Sequence, residues 1–244
     1  MCVHTQTMEK KVKAKSVKMT KEIKTHYIGH DGAYRYRKAK GEPGWASEED
    51  NLKFEKVIED SLKTACVPKG GKVLELGCGA GDMTLVLAAK GYETYGIDIS
   101  PTAIEWSKEK ASERNLRADF RVGSVLDLSY FPDNYFDYIL DGHCLHCIIG
   151  KDRKKLLSET LRVLKPGGIF FSETMCGEIR DPEVLKLFDP ESRCMIRDGV
   201  AGRYIGAAED IIAEVKKAGF KIIKSEVSPD PEAQDDLRIL ASKN

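Results

Sequence analysis

The feature that most constrains the fold is a short apolar strand that runs directly into a glycine-rich turn. Residues 73–76 read Val-Leu-Glu-Leu, glycines follow at positions 77, 79 and 81, and a helix is predicted over 84–90. Glycine in such a turn lets the backbone adopt positive φ and lets a ligand approach main-chain atoms closely. The N-terminus of the next helix adds unpaired N–H donors that face the same space. The turn therefore predicts a ligand site at the carboxyl end of a buried strand.

Strands and helices alternate along most of the chain with short connections. This alternation is typical of a mostly parallel sheet with helices on both faces. The last two strands follow each other without a helix between them, which indicates an antiparallel edge strand. We therefore predict an α/β fold, a Rossmann-like doubly wound sheet of seven mostly parallel strands. The strands are predicted over 73–76, 94–99, 119–123, 136–140, 169–174, 221–227 and 237–242, and the helices over 48–65, 84–90, 101–114, 152–164 and 209–218.

The charge balance limits the partners of the protein. Thirty-nine basic and thirty-nine acidic side chains cancel, so no global field attracts nucleic acid or an anionic membrane. The chain has no apolar run of the roughly 20 residues that span a bilayer, and its first residues are polar, unlike a signal peptide. These features predict a cytoplasmic protein that acts on small molecules, without a nucleic-acid or membrane partner.

Seven cysteines are scattered along the chain, and an odd number without a secretion signal favours free thiols. Cys144 and Cys147 form a C-x-x-C motif, but a structural zinc site needs four ligands and no second pair exists. The sequence therefore predicts no metal site.

The spacing of the glycine turn separates two kinds of cofactor. A dinucleotide fingerprint requires G-x-G-x-x-G, whereas here the third glycine comes one residue earlier and Asp82 follows it. A carboxylate at that position would repel a pyrophosphate but not a sulfonium amino acid, which carries no phosphate. Glu75 offers an acceptor to the ammonium group of such a ligand. Asp98, at the end of the next strand, can accept hydrogen bonds from a ribose diol, or alternatively cap the helix that begins at Pro101.

Four motifs in order give the chain a resemblance to a known family. Residues 75–81 match the pattern E/D-x-G-x-G-x-G, Asp98 matches a ribose-binding acid, residues 136–140 match a fourth strand, and residues 164–168 match the turn before the fifth. Over residues 48–242 the chain resembles the class I S-adenosylmethionine-dependent methyltransferases. The resemblance implies S-adenosylmethionine as cofactor and S-adenosylhomocysteine as product. It assigns cofactor contacts to Glu75, Gly77, Cys78, Gly79, Gly81, Asp98, Ile99, Ser124, Val125, Leu126 and Asp141.

One position departs from the family pattern. After the third strand the family commonly has Gly-Asp, whose Asp bonds the adenine amino group, whereas this chain has Gly123-Ser124. Ser124 can still accept that hydrogen bond, and the Val125 N–H can meet a ring nitrogen. Asp127 is the alternative acceptor.

Two histidines follow the fourth strand, where the family places the methionine end of the cofactor. Methyl transfer is an in-line displacement in which the protein mainly aligns the reactants and excludes water. A base is needed only when the acceptor is protonated. His143 and His146 are the candidate general bases, because an imidazole titrates near neutral pH. The alternative is that one packs under the cofactor while the other faces its own helix.

Three further segments complete the predicted organisation. Residues 1–24 carry seven lysines and are predicted to be a mobile tail, with a membrane-surface helix as the alternative. Residues 25–66 are predicted to form a lid and a helix, in which Tyr36 and Trp45 face the cofactor cation and Tyr27 faces the substrate. Residues 67–244 are predicted to form the cofactor-binding domain. Within it, residues 175–206 are expected to be a long irregular insertion on the substrate side, with Arg203 and Tyr204 as substrate contacts.

The resulting hypothesis is a methyltransferase that modifies a small-molecule acceptor at an N, O or S atom. A tRNA or protein methyltransferase is the second hypothesis, and the lysine-rich tail is its local support. A non-catalytic regulator that binds S-adenosylmethionine is the third. The sequence is compatible with a monomer and with a homodimer.

Overall fold

The structure is a computed structural model, and it describes residues 23–244. The predicted lysine-rich tail lies almost wholly outside the described residues. Its last residue, Lys24, begins a short strand that extends to Thr25.

A seven-stranded sheet forms the centre of the described chain, with the order β10-β11-β6-β5-β2-β3-β4. All neighbours from β6 to β4 pair in parallel, and β11 pairs antiparallel with both β6 and β10. The predicted antiparallel strand is therefore β11, and the outermost strand beside it is β10. The strands are β1 Lys24–Thr25, β2 Lys72–Leu76, β3 Glu93–Asp98, β4 Asp119–Val122, β5 Phe136–Gly142, β6 Leu164–Cys176, β7 Phe188–Asp189, β8 Cys194–Arg197, β9 Val200–Tyr204, β10 Phe220–Ser228 and β11 Asp235–Lys243.

Helices connect these strands, and those that begin at Glu48 and Pro101 start where the sequence predicts them. The Ser47 side chain caps α2 by accepting from the Asp50 N–H, and three acidic residues follow in its first turn, where they face the positive end of the helix dipole. Ser100 caps α4, with Pro101 in its first turn. The helices are α1 His30–Ala39, α2 Glu48–Thr64, α3 Asp82–Ala89, α4 Pro101–Glu113, α5 Lys151–Val163, α6 Pro182–Leu185 and α7 Ala208–Lys217.

The alternation of side chains along the central strands separates two core layers. Leu74 and Ile139 point into one layer, which α5 and α7 cover with Leu156 and Val215 among others. Val73 and Tyr138 are neighbours of these residues and point into the other layer, which is covered by α2 and α3. Helices on both faces leave the carboxyl ends of the parallel strands as the open edge of the sheet.

The segment 175–206 is more ordered than the sequence analysis predicts. Strand β6 extends to Cys176, and α6, β7, β8 and β9 follow it. The last three strands form a second sheet, and β1 joins it by pairing in parallel with β9. The expectation of an irregular insertion is therefore wrong, because antiparallel pairing satisfies the backbone of this segment.

Helix α1 is a second element that is not predicted from the sequence, because the predicted helix within residues 25–66 covers only 48–65. Tyr34 on this helix is buried against Ala80, Ala103 and Trp106. Asp31 accepts hydrogen bonds from the Ser100 hydroxyl and the Thr102 N–H at 2.8 and 3.0 Å. These contacts hold α1 against the start of α4.

No helix within residues 23–244 combines the length and the apolar character needed to cross a bilayer.

Candidate functional site

A cavity of about 590 Å³ lies over the carboxyl ends of the parallel strands. It extends from Asp98 at the end of β3, across the glycine turn after β2 and the loop after β5, to Glu173 on β6 and Asp236 on β11. Residues from α1 and α2 also line it. Its volume falls in the range of small-molecule sites, about 300–1,000 Å³.

The glycine turn lines one part of this cavity. Gly77 and Gly79 have φ of +64° and +52°, in the left-handed region that favours glycine. A Cβ atom on Gly79 would lie 2.4 Å from the hydroxyl of the buried Tyr34. Glycine is therefore required here both by the backbone angle and by the close approach of α1.

Asp98 holds the turn and faces the cavity. It is 6% exposed, and its two oxygens accept from the Gly79 N–H at 2.9 Å and the Ser100 N–H at 2.8 Å. A carboxylate has about four acceptor positions, so positions remain for a ligand. Burial raises the pKa of this carboxyl, while the two backbone hydrogen bonds oppose that rise. Ser100, not Asp98, caps α4, so the alternative role of Asp98 is wrong.

Glu75 lines the cavity at the end of β2. Its side chain is 6% exposed and accepts a hydrogen bond from the Thr84 hydroxyl. Burial raises the pKa of this carboxyl to about 8. A cation arriving beside Glu75 would therefore favour the charged form that burial disfavours.

The part of the cavity expected to hold the adenine ring is lined by Ile99, Ser124 and Val125. The Ser124 hydroxyl accepts from the Leu126 N–H at 3.2 Å, and Leu126 itself packs against the core instead of lining the cavity. Asp127 accepts from the Ser129 N–H and also lies outside the lining. Of the two residues that could accept a hydrogen bond from the adenine amino group, Ser124 lines the cavity and Asp127 does not.

Asp141 shapes the site without facing it. One oxygen accepts from the N–H groups of Cys144 and Leu145 at 2.7 and 3.0 Å, and the other accepts from the Ser172 hydroxyl at 2.6 Å. These bonds use its acceptors to fold the loop after β5. Asp141 thus lies outside the cavity lining and holds the loop after β5 in place.

Three other predicted site residues also lie outside the cavity lining. Gly81, with φ of +78°, packs against Phe120 and Ser107 at the start of α3. Tyr36 is 62% exposed on α1, because it lies on the face of the helix away from the buried Tyr34. Tyr204 packs beneath the guanidinium of Arg153 at 4.4 Å. None of these three residues lines the cavity.

The loop after β5 brings both predicted histidines to the cavity. His143 has φ of +69°, a strained angle for a residue with a side chain, and its N–H donates to the Glu173 carbonyl at 2.8 Å. His146 is 3% exposed, and burial lowers its pKa well below the ordinary value. The two rings lie 5.6 Å apart. His146 is thus held neutral, whereas His143 faces the open part of the site.

The neighbouring thiols are poor metal ligands or nucleophiles. Burial raises the pKa of Cys147 to about 12 and raises that of Cys144 well above its ordinary value. Both thiols stay protonated at neutral pH, and only a thiolate attacks or binds a metal ion.

Three of the predicted lid and substrate residues reach the cavity. Trp45 and Tyr27 line it from the N-terminal segment, and Arg203 lines it from β9. Trp45 packs against Tyr34 with ring centroids 5.3 Å apart. Tyr27 donates from its hydroxyl to Asp152 at 2.9 Å and accepts from the Ile149 N–H, which fixes it beside the loop after β5.

A charged group at the far end of the cavity is not predicted from the sequence. Glu173 on β6 and Arg238 on β11 are directly opposite each other and form two hydrogen bonds of 3.1 Å. Asp236, two residues before Arg238, also lines the cavity. The sequence does show charged residues within otherwise apolar strands, which could have indicated a polar site. Only the register of β11 on β6, however, brings these residues together.

Comparison with known proteins agrees with this geometry. The model of a family described as a methyltransferase domain matches residues 74–172. The chain is 35% identical over 132 residues to the demethylmenaquinone methyltransferase of Geobacillus sp. (strain WCH70), covering 52% of this chain and 53% of that protein. The chain thus spans about half the length of the demethylmenaquinone methyltransferases that it matches.

Solved structures share the fold over most of the chain. The structure of a SAM-dependent methyltransferase from Methanosarcina mazei is 25% identical, with a TM-score of 0.60, and covers 77% of this chain and 96% of its own. The 1,6-didemethyltoxoflavin-N1-methyltransferase of Burkholderia thailandensis, solved with 1,6-didemethyltoxoflavin and S-adenosylhomocysteine, has a TM-score of 0.64 at 18% identity and covers 88% and 87%. The second likeness concerns the fold alone.

Three observations agree with a methyltransferase domain. They are the seven-stranded sheet, the glycine turn that is hydrogen-bonded to Asp98, and the match to the family model. The methyltransferase-domain match and the SAM-dependent methyltransferase of the same fold support S-adenosylmethionine as the cofactor. The match over residues 74–172 and the shared fold identify this part of the chain as a methyltransferase domain with the fold of S-adenosylmethionine-dependent methyltransferases.

Proposed function

We propose that this protein transfers the methyl group of S-adenosylmethionine to a small-molecule acceptor bound in the same cavity. The observation that carries the proposal is the continuity of that cavity, which joins Asp98 at one end to His143 and Asp236 at the other. A cofactor and an acceptor can therefore meet without leaving the protein. The products are S-adenosylhomocysteine and the methylated acceptor.

The cofactor end of the cavity fits each part of S-adenosylmethionine. In this proposal Asp98 accepts from the ribose diol, and Glu75 receives the ammonium of the methionine part. Gly77, Cys78 and Gly79 let the cofactor approach the backbone of the turn. Ile99, Ser124 and Val125 then surround the adenine.

The protein's contribution to the reaction is alignment and exclusion of water. Methyl transfer requires the acceptor atom, the methyl carbon and the sulfur to lie in line. In this proposal Trp45 and Tyr27 close the cavity over the reactants, and an aromatic face near the sulfonium adds cation–π attraction.

A proton must leave the acceptor when the acceptor atom is protonated, and His143 is the proposed base. Its Nδ1 lies 3.9 Å from an oxygen of Asp236, which stabilises the imidazolium that forms. His146 stays neutral because burial lowers its pKa, so its proposed role is a hydrogen bond to the acceptor. Arg203 is proposed to bind a carboxylate or phosphate of the substrate.

We further propose that the protein works in the cytoplasm and without a nucleic-acid partner. The equal numbers of acidic and basic residues support this, since phosphate recognition depends on excess positive charge.

The test combines cofactor binding with turnover. Calorimetry should show that S-adenosylmethionine and S-adenosylhomocysteine bind, and a panel of amine, thiol, hydroxyl and carboxylate acceptors should release S-adenosylhomocysteine. Turnover should change little with added salt. Tight cofactor binding without transfer to any acceptor would favour the regulator hypothesis, and a steep fall in turnover on tRNA with salt would favour the nucleic-acid hypothesis.

A further inference from the structure

The acceptor end of the cavity contains a compact polar cluster, formed by His143, Glu173 and Asp236. One ligating atom from each residue lies within 4.8 Å of the others. All three residues line the cavity. They come from three adjacent strands or the loops that follow them, β5, β6 and β11. The cluster therefore faces the space where the proposed acceptor would bind.

The charges in this cluster are not all balanced. Arg238 donates to both oxygens of Glu173 at 3.1 Å, so this pair is neutral. Asp236 has no such partner: in the part of the chain that the structure describes, its ion-pair candidate within 4.0 Å is the His143 imidazole, at 3.9 Å. That separation is too long for a hydrogen bond. Asp236 is therefore the uncompensated carboxylate of the cluster.

Two atoms of this cluster are shielded from solvent and have no hydrogen-bond partner among the described residues. They are Asp236 Oδ1 and His143 Nδ1. A buried polar atom without a partner costs free energy, about 1–3 kcal/mol and more for a charged group. A ligand that donates N–H groups to both atoms would remove this cost.

A third unpartnered atom points to a ligand independently of the acidic residues. His146 is nine-tenths buried or more, lines the same cavity and has a buried Nδ1 without a hydrogen-bond partner in the described chain. Its ring stands 5.6 Å from that of His143. One carboxylate and two imidazoles thus surround the acceptor end with their hydrogen-bonding capacity unused.

We propose that the methyl acceptor is a primary or secondary amine, which binds as an ammonium ion between Asp236, His143 and His146. This inference rests on the proposed function and specifies its substrate class. An ammonium offers several N–H donors and one positive charge, which matches one uncompensated carboxylate and two imidazole acceptors. A divalent metal ion matches less well, because Arg238 already bonds both oxygens of Glu173 and places a positive charge beside it.

The ammonium nitrogen first gives one proton to the His143 imidazole, and the resulting imidazolium is stabilised by Asp236. The freed lone pair attacks the methyl carbon, so that an N–C bond forms while the S–C bond breaks. The electron pair of the broken bond stays on sulfur, which leaves as the thioether of S-adenosylhomocysteine. The product is the N-methylated ammonium.

The test measures acceptor binding to the full chain saturated with S-adenosylhomocysteine, so that no turnover is needed. Calorimetry compares matched pairs of probes at about pH 7.5, where alkylamines are cationic: n-butylamine with 1-butanol, benzylamine with benzyl alcohol, and N-methylbenzylamine with benzyl methyl ether. We expect at least one amine to bind at least about 10-fold more tightly than its uncharged partner. The same amine should be methylated when S-adenosylmethionine replaces the product.

The isosteric variant Asp236→Asn should reduce this preference to less than about 3-fold, since it removes the charge and keeps the shape. The control is Glu232→Gln, an exposed acid on the loop before β11, which should keep the full preference. The comparison of probe pairs in the unmodified protein tests the proposal even if the Asp236 variant fails to fold.

Several outcomes would overturn the amine assignment alone, with S-adenosylhomocysteine still bound. These are equal binding of amines and their uncharged partners, failure of every amine to bind, a preference retained in Asp236→Asn, or a preference that disappears with a chelator and returns with Mn²⁺. Failure of S-adenosylhomocysteine itself to bind would overturn the proposed function, and the amine assignment with it.

Discussion

The two ends of the cavity are built in different ways. At the cofactor end, Glu75, the glycine turn and Asp98 lie within 24 consecutive residues, and backbone N–H groups of Gly79 and Ser100 fix the carboxylate of Asp98. At the acceptor end, His143, Glu173 and Asp236 are separated by 30 and 63 positions and meet through side chains. Local strand–turn–helix units thus form one end, and strand register forms the other.

The register of β11 shows how much the acceptor end depends on pairing. Arg238 lies opposite Glu173, and Asp236 lies opposite Met175. A slip of one residue would turn these side chains to the other face of the sheet. We therefore expect the cofactor end to tolerate changes in neighbouring strands better than the acceptor end does.

The largest effect should come from a side chain at the glycine turn. In Gly79→Ala the new Cβ would meet the hydroxyl of buried Tyr34 at 2.4 Å, and we expect S-adenosylmethionine affinity to fall on the order of 100-fold through overpacking. Gly91→Ala is the control, because Gly91 also has positive φ, +87°, but open space around it. Calorimetry and thermal denaturation should show lower stability without lower affinity for the control. Equal losses of affinity in the two variants would mean that backbone strain, and not the contact with Tyr34, weakens cofactor binding.

The next largest effect concerns Asp98. Asp98→Ala should weaken S-adenosylmethionine binding by at least about 1.5 kcal/mol, roughly 10-fold, because hydrogen bonds to a charged acceptor are lost. Asp127→Ala serves as control, since Asp127 lies outside the cavity and caps its own turn. Unchanged affinity in a folded Asp98→Ala protein would remove Asp98 from the ribose role, and a comparable loss in Asp127→Ala would restore Asp127 as an adenine contact.

A smaller effect, a fall in cofactor affinity at low pH, should follow from Glu75. Its pKa of about 8 means that the carboxyl is mostly protonated at pH 7 without a ligand, whereas a bound ammonium favours the carboxylate. Binding should therefore release a proton, and affinity should fall on the order of 10-fold as the pH is lowered from about 8.5 to about 6.5. Calorimetry in buffers of different ionisation enthalpy measures the released proton.

The Glu75→Gln variant should remove this pH dependence, and the exposed Glu105→Gln on α4 should retain it. The folded-state pKa of Glu75 lies above its ordinary value of 4.5, so its favourable contribution is present below about pH 4.5 and is lost as the pH rises through about 8. Ligand-free Glu75→Gln should accordingly denature at a higher temperature than the unmodified protein at about pH 8. A pH-independent affinity in the unmodified protein would contradict the ammonium role.

The smallest effect should distinguish two aromatic residues of the N-terminal segment. Trp45 lines the cavity, so Trp45→Ala should weaken S-adenosylmethionine binding about 2- to 5-fold, as expected for a partly exposed cation–π contact. Tyr36 lies outside the cavity and is mostly exposed, so Tyr36→Ala should leave affinity and turnover unchanged. Parallel steady-state kinetics and calorimetry would show the difference, and a larger loss in the Tyr36 variant would reverse the assignment.

Much of the fold could be predicted from the sequence because its signals are local. Periodicity predicts all seven strands of the main sheet, and the helices that begin at Glu48 and Pro101 are predicted with their correct first residues, since helix starts depend on atoms a few residues apart. Helix α1 and the small sheet are not predicted. Tyr34 on α1 becomes buried only against Ala80 and Trp106, and the β1–β9 pairing joins segments 176 positions apart, so neither has a local signature.

The candidate site likewise has one part that could be predicted from the sequence and one part that could not. The sequence by itself determined the glycine turn, Glu75 and Asp98, because a ligand that binds to backbone needs specific residue types at fixed spacing. The tertiary structure alone decided that Asp141 folds a loop, that Tyr36 faces away, and that Glu173, Asp236 and Arg238 line the acceptor end. The physical reason is that side-chain environment depends on which strands pair and which faces are covered, and those contacts join residues that are distant in the chain.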